Sequence, residues 1–171
     1  MMQKKVQIIS DGSLDLSQEL TKEKDIEVVP FYVSFDSETY QKEMVEVGVR
    51  EFYQEMVDHP TVFPKTSMPS VHDYYEVFEK HAKEQLPVIC ICITRKFSGS
   101  LQSATTAKDM ILEEYPDAQI TVIDSTVNTV LQGLYVLEAC RLRDMGLEYQ
   151  QIVDALLPIR ETGRIFFTIG S

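Results

Sequence analysis

Short β-rich runs alternate with segments of helical spacing along this chain, and that alternation limits the fold more than any other feature. The β-rich runs cover residues 6–9, 26–35, 88–93, 120–123 and 165–169. Apolar residues recur at helical spacing over residues 70–85, 101–115, 130–145 and 148–159. Strands that alternate with helices build right-handed βαβ units around a mostly parallel sheet. The sequence therefore predicts an α/β fold, a three-layer α/β/α domain with a mostly parallel sheet.

The last residues bear on the predicted domain organisation. The 171 residues are enough for one domain with a sizeable core. We expect residues 1–160 to form an N-terminal α/β domain. The apolar run at 165–169 has no later strand to pair with, so residues 161–171 are expected to lead, as a first strand, into a second domain that this sequence lacks.

Composition excludes several classes of partner and site. The 27 acidic and 16 basic residues give a formal net charge of -11, and the basic residues are dispersed, so no nucleic acid binding is expected. No apolar stretch approaches a membrane span and no signal peptide is present, so we expect a cytoplasmic protein. The cysteines Cys90, Cys92 and Cys140 lack metal-ligand spacing, so we expect free thiols and no metal or cofactor.

Polar segments follow the predicted strands, at the edge where open parallel sheets bind their ligands. Asp11 and Ser13 come after the first strand, and Asp124 comes after the fourth. Helix capping would also explain these residues, because Ser and Asp are preferred N-caps. Several hydroxyl-rich segments at one edge nevertheless favour a ligand site there.

Two further segments precede predicted helices. Ser98, Gly99 and Ser100 form a turn that offers hydroxyls, free backbone N–H groups and the positive end of a helix dipole, which together make a generic anion site. An N-cap serine is the plainer alternative. In the loop before the helix at residue 70, Ser70 is a natural cap, which leaves the hydroxyls of Thr66 and Ser67 available for a ligand.

The sequence contains none of the motifs that would identify a common enzyme. It has no G-x-S-x-G elbow around Ser98, no Walker loop and no G-x-G-x-x-G. His59, His72 and His81 all lie far from Ser98 in sequence. A phosphotransferase that uses Ser98 or Asp11 on a small phosphorylated metabolite remains an alternative, as does an interaction module without any small ligand.

Taken together, these segments resemble the DegV family. The matching pieces, in family order, are Asp11-Gly12-Ser13-x-Asp15-Leu16, Val28-Val29-Pro30, Phe52-Tyr53, Lys65-Thr66-Ser67-x-Pro69-Ser70, Ser98-Gly99-Ser100-x-Gln102-Ser103-Ala104 and Val122-Ile123-Asp124-Ser125. The two hydroxyl motifs, about thirty residues apart, carry most of the specificity. Gly12 departs from the serine that the family often has at this position, which weakens any role for it.

The resemblance implies a binding protein and not an enzyme. It implies that one long-chain fatty acid is held between two domains, with Thr66 and Ser98 bonded to the carboxyl group and Gly99 and Ser100 in support. It further implies presentation of the fatty acid to a kinase that phosphorylates the carboxylate. A histidine of the family's second domain that also approaches the carboxyl has no counterpart in this sequence.

Overall fold

The computed structural model describes residues 5–166. Its strands are β1 (Gln7–Asp11), β2 (Ile26–Val29), β3 (Tyr32–Ser34), β4 (Gln41–Lys42), β5 (Lys65–Ser67), β6 (Val88–Cys92) and β7 (Ile120–Asp124). Its α-helices are α1 (Gln18–Glu23), α2 (Val49–Asp58), α3 (Val71–Lys83), α4 (Ser100–Glu114), α5 (Thr129–Asp144) and α6 (Tyr149–Ile159). A single 3-10 turn, Gly12–Leu14, follows β1.

The main sheet has four parallel strands in the order β2-β1-β6-β7. All five residues of β6 are fully buried, as expected for an inner strand that is apolar on both faces. Strand β1 is followed by the 3-10 turn, and β6 and β7 are followed by helices α4 and α5, all at the same edge of the sheet. The parallel sheet predicted from the alternating pattern is therefore confirmed.

Helices cover both faces of this sheet. One buried cluster joins Ile8 and Ile91 to Val136 of α5 and Ile152 of α6. The other cluster lies on the opposite face and joins β6 to α3 and α4. Tyr74 and Phe78, one helical turn apart in α3, are completely buried there. The chain thus has the predicted three layers.

A second, smaller sheet corrects the prediction of one strand over residues 26–35. The apolar run divides into β2 and β3, because Pro30 has no N–H to offer a ladder. Strand β3 then pairs antiparallel with β4 and β5. Helices α1 and α2 and strands β4 and β5 were not predicted, and α2 has no buried residue.

Capping residues confirm several predicted helix boundaries. Ser70 and Asp73 form a capping box, with Asp73 N–H donating to Ser70 Oγ at 3.1 Å and Ser70 N–H donating to Asp73 Oδ2 at 2.8 Å. Gly146, just past α5, has a φ of 88°, the left-handed conformation of a helix terminator. Helix α1 is capped by Ser17, not by Ser13 or Asp15.

The predicted strand at 165–169 lies mostly outside the described residues. Ile165 and Phe166 have no regular secondary structure, and residues 167–169 are not described. The expected domain division at residue 160 therefore stays a prediction.

A close approach between α5 and the 3-10 turn yields a first prediction. An added Cβ at Gly133 would lie 2.4 Å from the backbone oxygen of Leu14, and backbone yields less readily than a side chain. We expect Gly133→Ala to lower the free energy of unfolding by about 1–3 kcal/mol, measured by urea denaturation.

The neighbouring residue supplies the control. Leu134 is 56% exposed on the same helix, so Leu134→Ala should change stability by less than about 0.5 kcal/mol. Equal effects of the two substitutions would contradict the tight packing at Gly133.

Candidate functional site

The polar segments after β1, β6 and β7 meet at the carboxyl edge of the main sheet. Arg95 Nε donates to Asp124 Oδ2 at 3.0 Å, which joins the loop after β6 to the end of β7. Thr94 N–H donates to the backbone oxygen of Val127 at 2.9 Å. The sequence-predicted segments are therefore neighbours in space.

Asp11 lies at the centre of this edge and is completely buried. Its Oδ2 accepts from Ile93 N–H at 2.9 Å and from Ser100 Oγ at 2.8 Å. Its Oδ1 accepts from Gln132 Nε2 at 2.8 Å and from Ser13 N–H at 3.3 Å. Burial raises the pKa of the Asp11 carboxyl above its ordinary value, and the four hydrogen bonds offset part of that rise.

The turn before α4 differs from the capped turn that the plainer reading predicts. Helix α4 begins at Ser100, and its N-cap is Gly99, so no side chain caps the helix. Ser98 Oγ accepts from Ser100 N–H at 3.1 Å. That bond leaves the Ser98 hydroxyl proton free to donate elsewhere, and Ser98 is only half-buried. The Ser100 side chain, by contrast, is fully buried.

Thr66 and Ser67 lie on β5, and both are exposed. Among residues 5–166 neither hydroxyl has a hydrogen-bond partner. Strand β5 is held by its pairing with β3, where Thr66 lies opposite Val33. Tyr32 of β3 donates its hydroxyl to Asp73 Oδ1 at 2.8 Å, which attaches the small sheet to the start of α3.

Met68 brings the two hydroxyl motifs together. An added Cβ at Gly99 would lie 2.6 Å from Met68 Sδ and 3.1 Å from Met68 Cε. The thioether therefore occupies the space where a side chain at residue 99 would stand. The loop after β5 and the turn before α4 are consequently in direct contact, although their strands belong to different sheets.

Both motif segments lack acidic residues in a chain of net charge -11. No Asp or Glu occurs in residues 60–71 or 93–108, whereas Lys65, Arg95 and Lys96 all lie there and are exposed. Local positive charge together with the N-terminus of α4 favours an anion at this edge.

The seven predicted site residues thus differ in how exposed they are. Thr66, Ser67, Ser98 and Gly99 lie at or near the surface, whereas Asp11 and Ser100 face other protein atoms. Ser13 is half-buried, and its N–H bonds to Asp11. The prediction that all seven contact a ligand stays a prediction.

Two residues that are hydrogen-bonded to Asp11 or Ser100 were not predicted from the sequence. Tyr74, whose hydroxyl lies 2.6 Å from Ser100 Oγ, belongs to the apolar stripe of the helix predicted over residues 70–85, which gives no sign of a polar role. Gln132 is fully buried, and the one available signal was an amide within an otherwise apolar helical stripe.

A cavity with a volume of about 1150 Å³ lies elsewhere, along the outer edge of β2. None of the seven predicted residues lines it. Its lining includes five carboxylates and two lysines: Asp15, Asp25, Glu27, Glu43, Glu84, Lys22 and Lys80. Burial and the nearby Asp15 raise the pKa of Glu43. This excess of acid disfavours a carboxylate ligand in that cavity.

The histidines pair with glutamates away from the hydroxyls. His81 Nε2 lies 2.6 Å from Glu27 Oε2, and the other two histidines contact glutamates one helical turn away. Within residues 5–166 no group of three or more His, Cys, Asp or Glu could hold a metal ion. No helix in the described part of the chain is long and apolar enough to cross a membrane.

Fold and site together define an α/β protein with an uncapped helix N-terminus and free hydroxyls at the carboxyl edge of a parallel sheet. The sequence model of a family described as "Uncharacterised protein, DegV family" matches residues 5–171. The chain belongs to the DegV family, as the motif resemblance indicated.

Individual relatives agree with that membership. A DegV domain-containing protein of Clostridium acetobutylicum is 33% identical over 153 residues, which are 90% of this chain and 53% of the relative. A solved fatty acid (stearic acid)-binding protein of Eubacterium ventriosum is 46% identical, with a TM-score of 0.84, covering 88% of this chain and 52% of that one. A fatty-acid-binding DegV family protein of Thermus thermophilus is 29% identical, with a TM-score of 0.75, covering 91% of this chain and 53% of that one.

The chain spans about half the length of the curated relatives it matches, between 53% and 58%. Activities and partners of those longer proteins therefore enter only as proposals for this chain.

The contact between Met68 and Gly99 gives a prediction for a double-mutant cycle. Met68→Ala opens space that a Cβ at residue 99 can fill, so Gly99→Ala should cost less stability in the Met68→Ala background than in the parent. We expect a coupling of at least about 0.5 kcal/mol, measured by chemical denaturation of all four proteins. Strictly additive effects would show that the two motifs do not touch.

Proposed function

We propose that this chain carries the carboxylate-holding part of a protein that binds one long-chain fatty acid. One observation carries the proposal: among residues 5–166 the hydroxyl protons of Thr66 and Ser98 have no acceptor, and the two residues lie on segments joined by the Met68–Gly99 contact. Two hydroxyl donors beside an open helix N-terminus suit a carboxylate, which accepts hydrogen bonds at both oxygens.

The surroundings favour an anionic head group with an apolar tail. The acid-free segments and Lys65, Arg95 and Lys96 favour the negative charge. Met68 and Phe97, which are 44% and 64% exposed, offer apolar contact next to the hydroxyls. Sites for small ligands commonly combine a mostly apolar lining with a few placed polar groups.

Relatives support the ligand class. The Eubacterium ventriosum protein, 46% identical to this chain, binds stearic acid, and the Thermus thermophilus protein also binds fatty acid. We extend that ligand class to this chain because the family and the fold are shared.

The same geometry favours binding over catalysis. Within the described residues Ser98 has no histidine or carboxylate partner that could act as a base, since Ser98 Oγ only accepts from Ser100 N–H. Neutral hydroxyls would hold the carboxylate without a tight cationic clamp. An oxygen of the ligand would then stay open to a partner enzyme, and we propose a fatty acid kinase as that partner.

Organic extracts of the full-length protein, purified without added lipid, test the ligand class directly. Mass spectrometry should find a fatty acid of about 14–18 carbons at roughly one per protein, because a buried apolar tail survives purification. Well-folded protein without lipid would contradict the proposal and return attention to phosphorylated metabolites.

Substitutions test the proposed contacts. Thr66→Ala and Ser98→Ala should each weaken fatty acid binding by about tenfold or more, because each removes a hydrogen bond to a charged group. Titration with a fluorescent fatty acid measures the loss. Thr61→Ala, an exposed threonine on the same connection, is the control and should bind like the parent. Unchanged binding in both site variants would refute the assignment.

A further inference from the structure

The buried Asp11 carboxylate has no cation against it. Among the described residues it accepts only from two backbone N–H groups, one hydroxyl and one amide. Burying a carboxylate without a cation costs several kcal/mol that hydrogen bonds must offset. An apolar residue at this position would spare the fold that cost, so the arrangement invites a functional explanation.

A single oxygen of Asp11 holds both ends of the loop that carries Ser98. Ile93 N–H, directly before the loop, donates to Oδ2 at 2.9 Å. Ser100 Oγ, directly after the loop, donates to the same Oδ2 at 2.8 Å. One atom of β1, Asp11 Oδ2, therefore holds together the two ends of the loop formed by the six intervening residues, 94–99.

The hydrogen bonds around Ser100 set the direction of the nearby protons. Because Ser100 Oγ gives its one proton to Asp11, it must accept from the Tyr74 hydroxyl, 2.6 Å away. Ser100 N–H donates to Ser98 Oγ, so the proton of Ser98 has no acceptor within this network and is directed to whatever lies outside it.

We propose that Asp11 is a positioning residue of the carboxylate site: it clamps residues 93 and 100 so that the Ser98 hydroxyl is presented as a hydrogen-bond donor to the ligand head group. This positioning role rests on the proposed function. Asp11 acts through Ser100 and does not itself contact the ligand. The position of Asp11 Oδ2 as a hydrogen-bond acceptor matters more here than the negative charge of the carboxylate.

The substitution Asp11→Asn tests whether the site needs the hydrogen-bond acceptor at residue 11 or its negative charge. In Asp11→Asn the amide oxygen still accepts from Ile93 and Ser100. Its new N–H₂ group would no longer accept from Ser13 N–H and would face Gln132, whose Oε1 is buried and has no hydrogen-bond partner among the described residues. A turn of the Gln132 amide would let Oε1 accept from that group. We therefore expect Asp11→Asn to bind fatty acid within about threefold of the parent.

Ser100→Ala removes one end of the clamp, and Tyr74→Phe is its matched control. Tyr74→Phe deletes a buried hydroxyl of the same network but leaves the bond from Ser100 to Asp11 intact. Both variants should lose stability, so stability alone does not distinguish them. Only Ser100→Ala should raise amide hydrogen exchange in residues 94–99, by about tenfold, because only it opens the base of the loop.

Head-group selectivity is the second measurement, made on the full-length protein. The quantity to compare is the affinity for a fatty acid divided by the affinity for the alcohol of the same chain length. General destabilisation of the protein does not change this ratio. Ser100→Ala should lower this ratio about tenfold, while Tyr74→Phe and Asp11→Asn keep it near the parent value. Where Asp11→Ala folds, it should behave like Ser100→Ala.

The outcomes distinguish the clamp from the function it serves. If Ser100→Ala changes neither the amide hydrogen exchange of residues 94–99 nor the affinity ratio, the positioning role is wrong. It is also wrong if Asp11→Asn lowers the affinity ratio while Ser100→Ala leaves it at the parent value. A parent protein that binds no fatty acid overturns the proposed function and the positioning role with it. Exchange data would still report whether Asp11 closes the loop.

Discussion

The parallel pairing of β1 with β2 and β6, and of β6 with β7, is the constraint on which the rest of the structure depends. Parallel strands all end at the same edge, so the polar segments after β1, β6 and β7 are brought together. The pairing also forces helices onto both faces, because β6 is apolar throughout and must be covered on each side.

The elements that were predicted from the sequence have a buried face, and most of those that were missed have no buried residue. Helices α3 to α6 carry apolar stripes that face the sheet, and their bounds were predicted within a few residues. Helix α2 has no buried residue, and all three residues of β5 are exposed. Hydrophobic periodicity therefore gives no signal for β5. Helix α2, by contrast, has apolar residues at helical spacing, and this signal was overlooked: Val49, Phe52, Tyr53, Met56 and Val57. The division of residues 26–35 between two sheets was missed although Pro30, which has no N–H for a ladder, marks it in the sequence.

The site shows the same limit in another form. The polar residues that follow the apolar strands were expected to meet at one edge of the sheet, and they do, since that inference needs only the topology. Their division into exposed and buried groups depends on long-range contacts. Ser100 meets Tyr74 across 26 positions of sequence, and Asp11 meets Gln132 across 121. Nothing local to Asp11 or Ser100 distinguishes a residue that faces solvent from one that faces those partners.

The contact between Met68 and Gly99 has a consequence for how such a site can change over evolutionary time. Thr66 lies on the small sheet and Ser98 lies in the loop after β6 of the main sheet, so a flexible thioether helps to set the gap between them. The distance between the two hydroxyls is then adjustable by one substitution at residue 68 or 99, without any change of strand register. Related proteins could diverge in head-group fit by this route while the α/β framework stays the same.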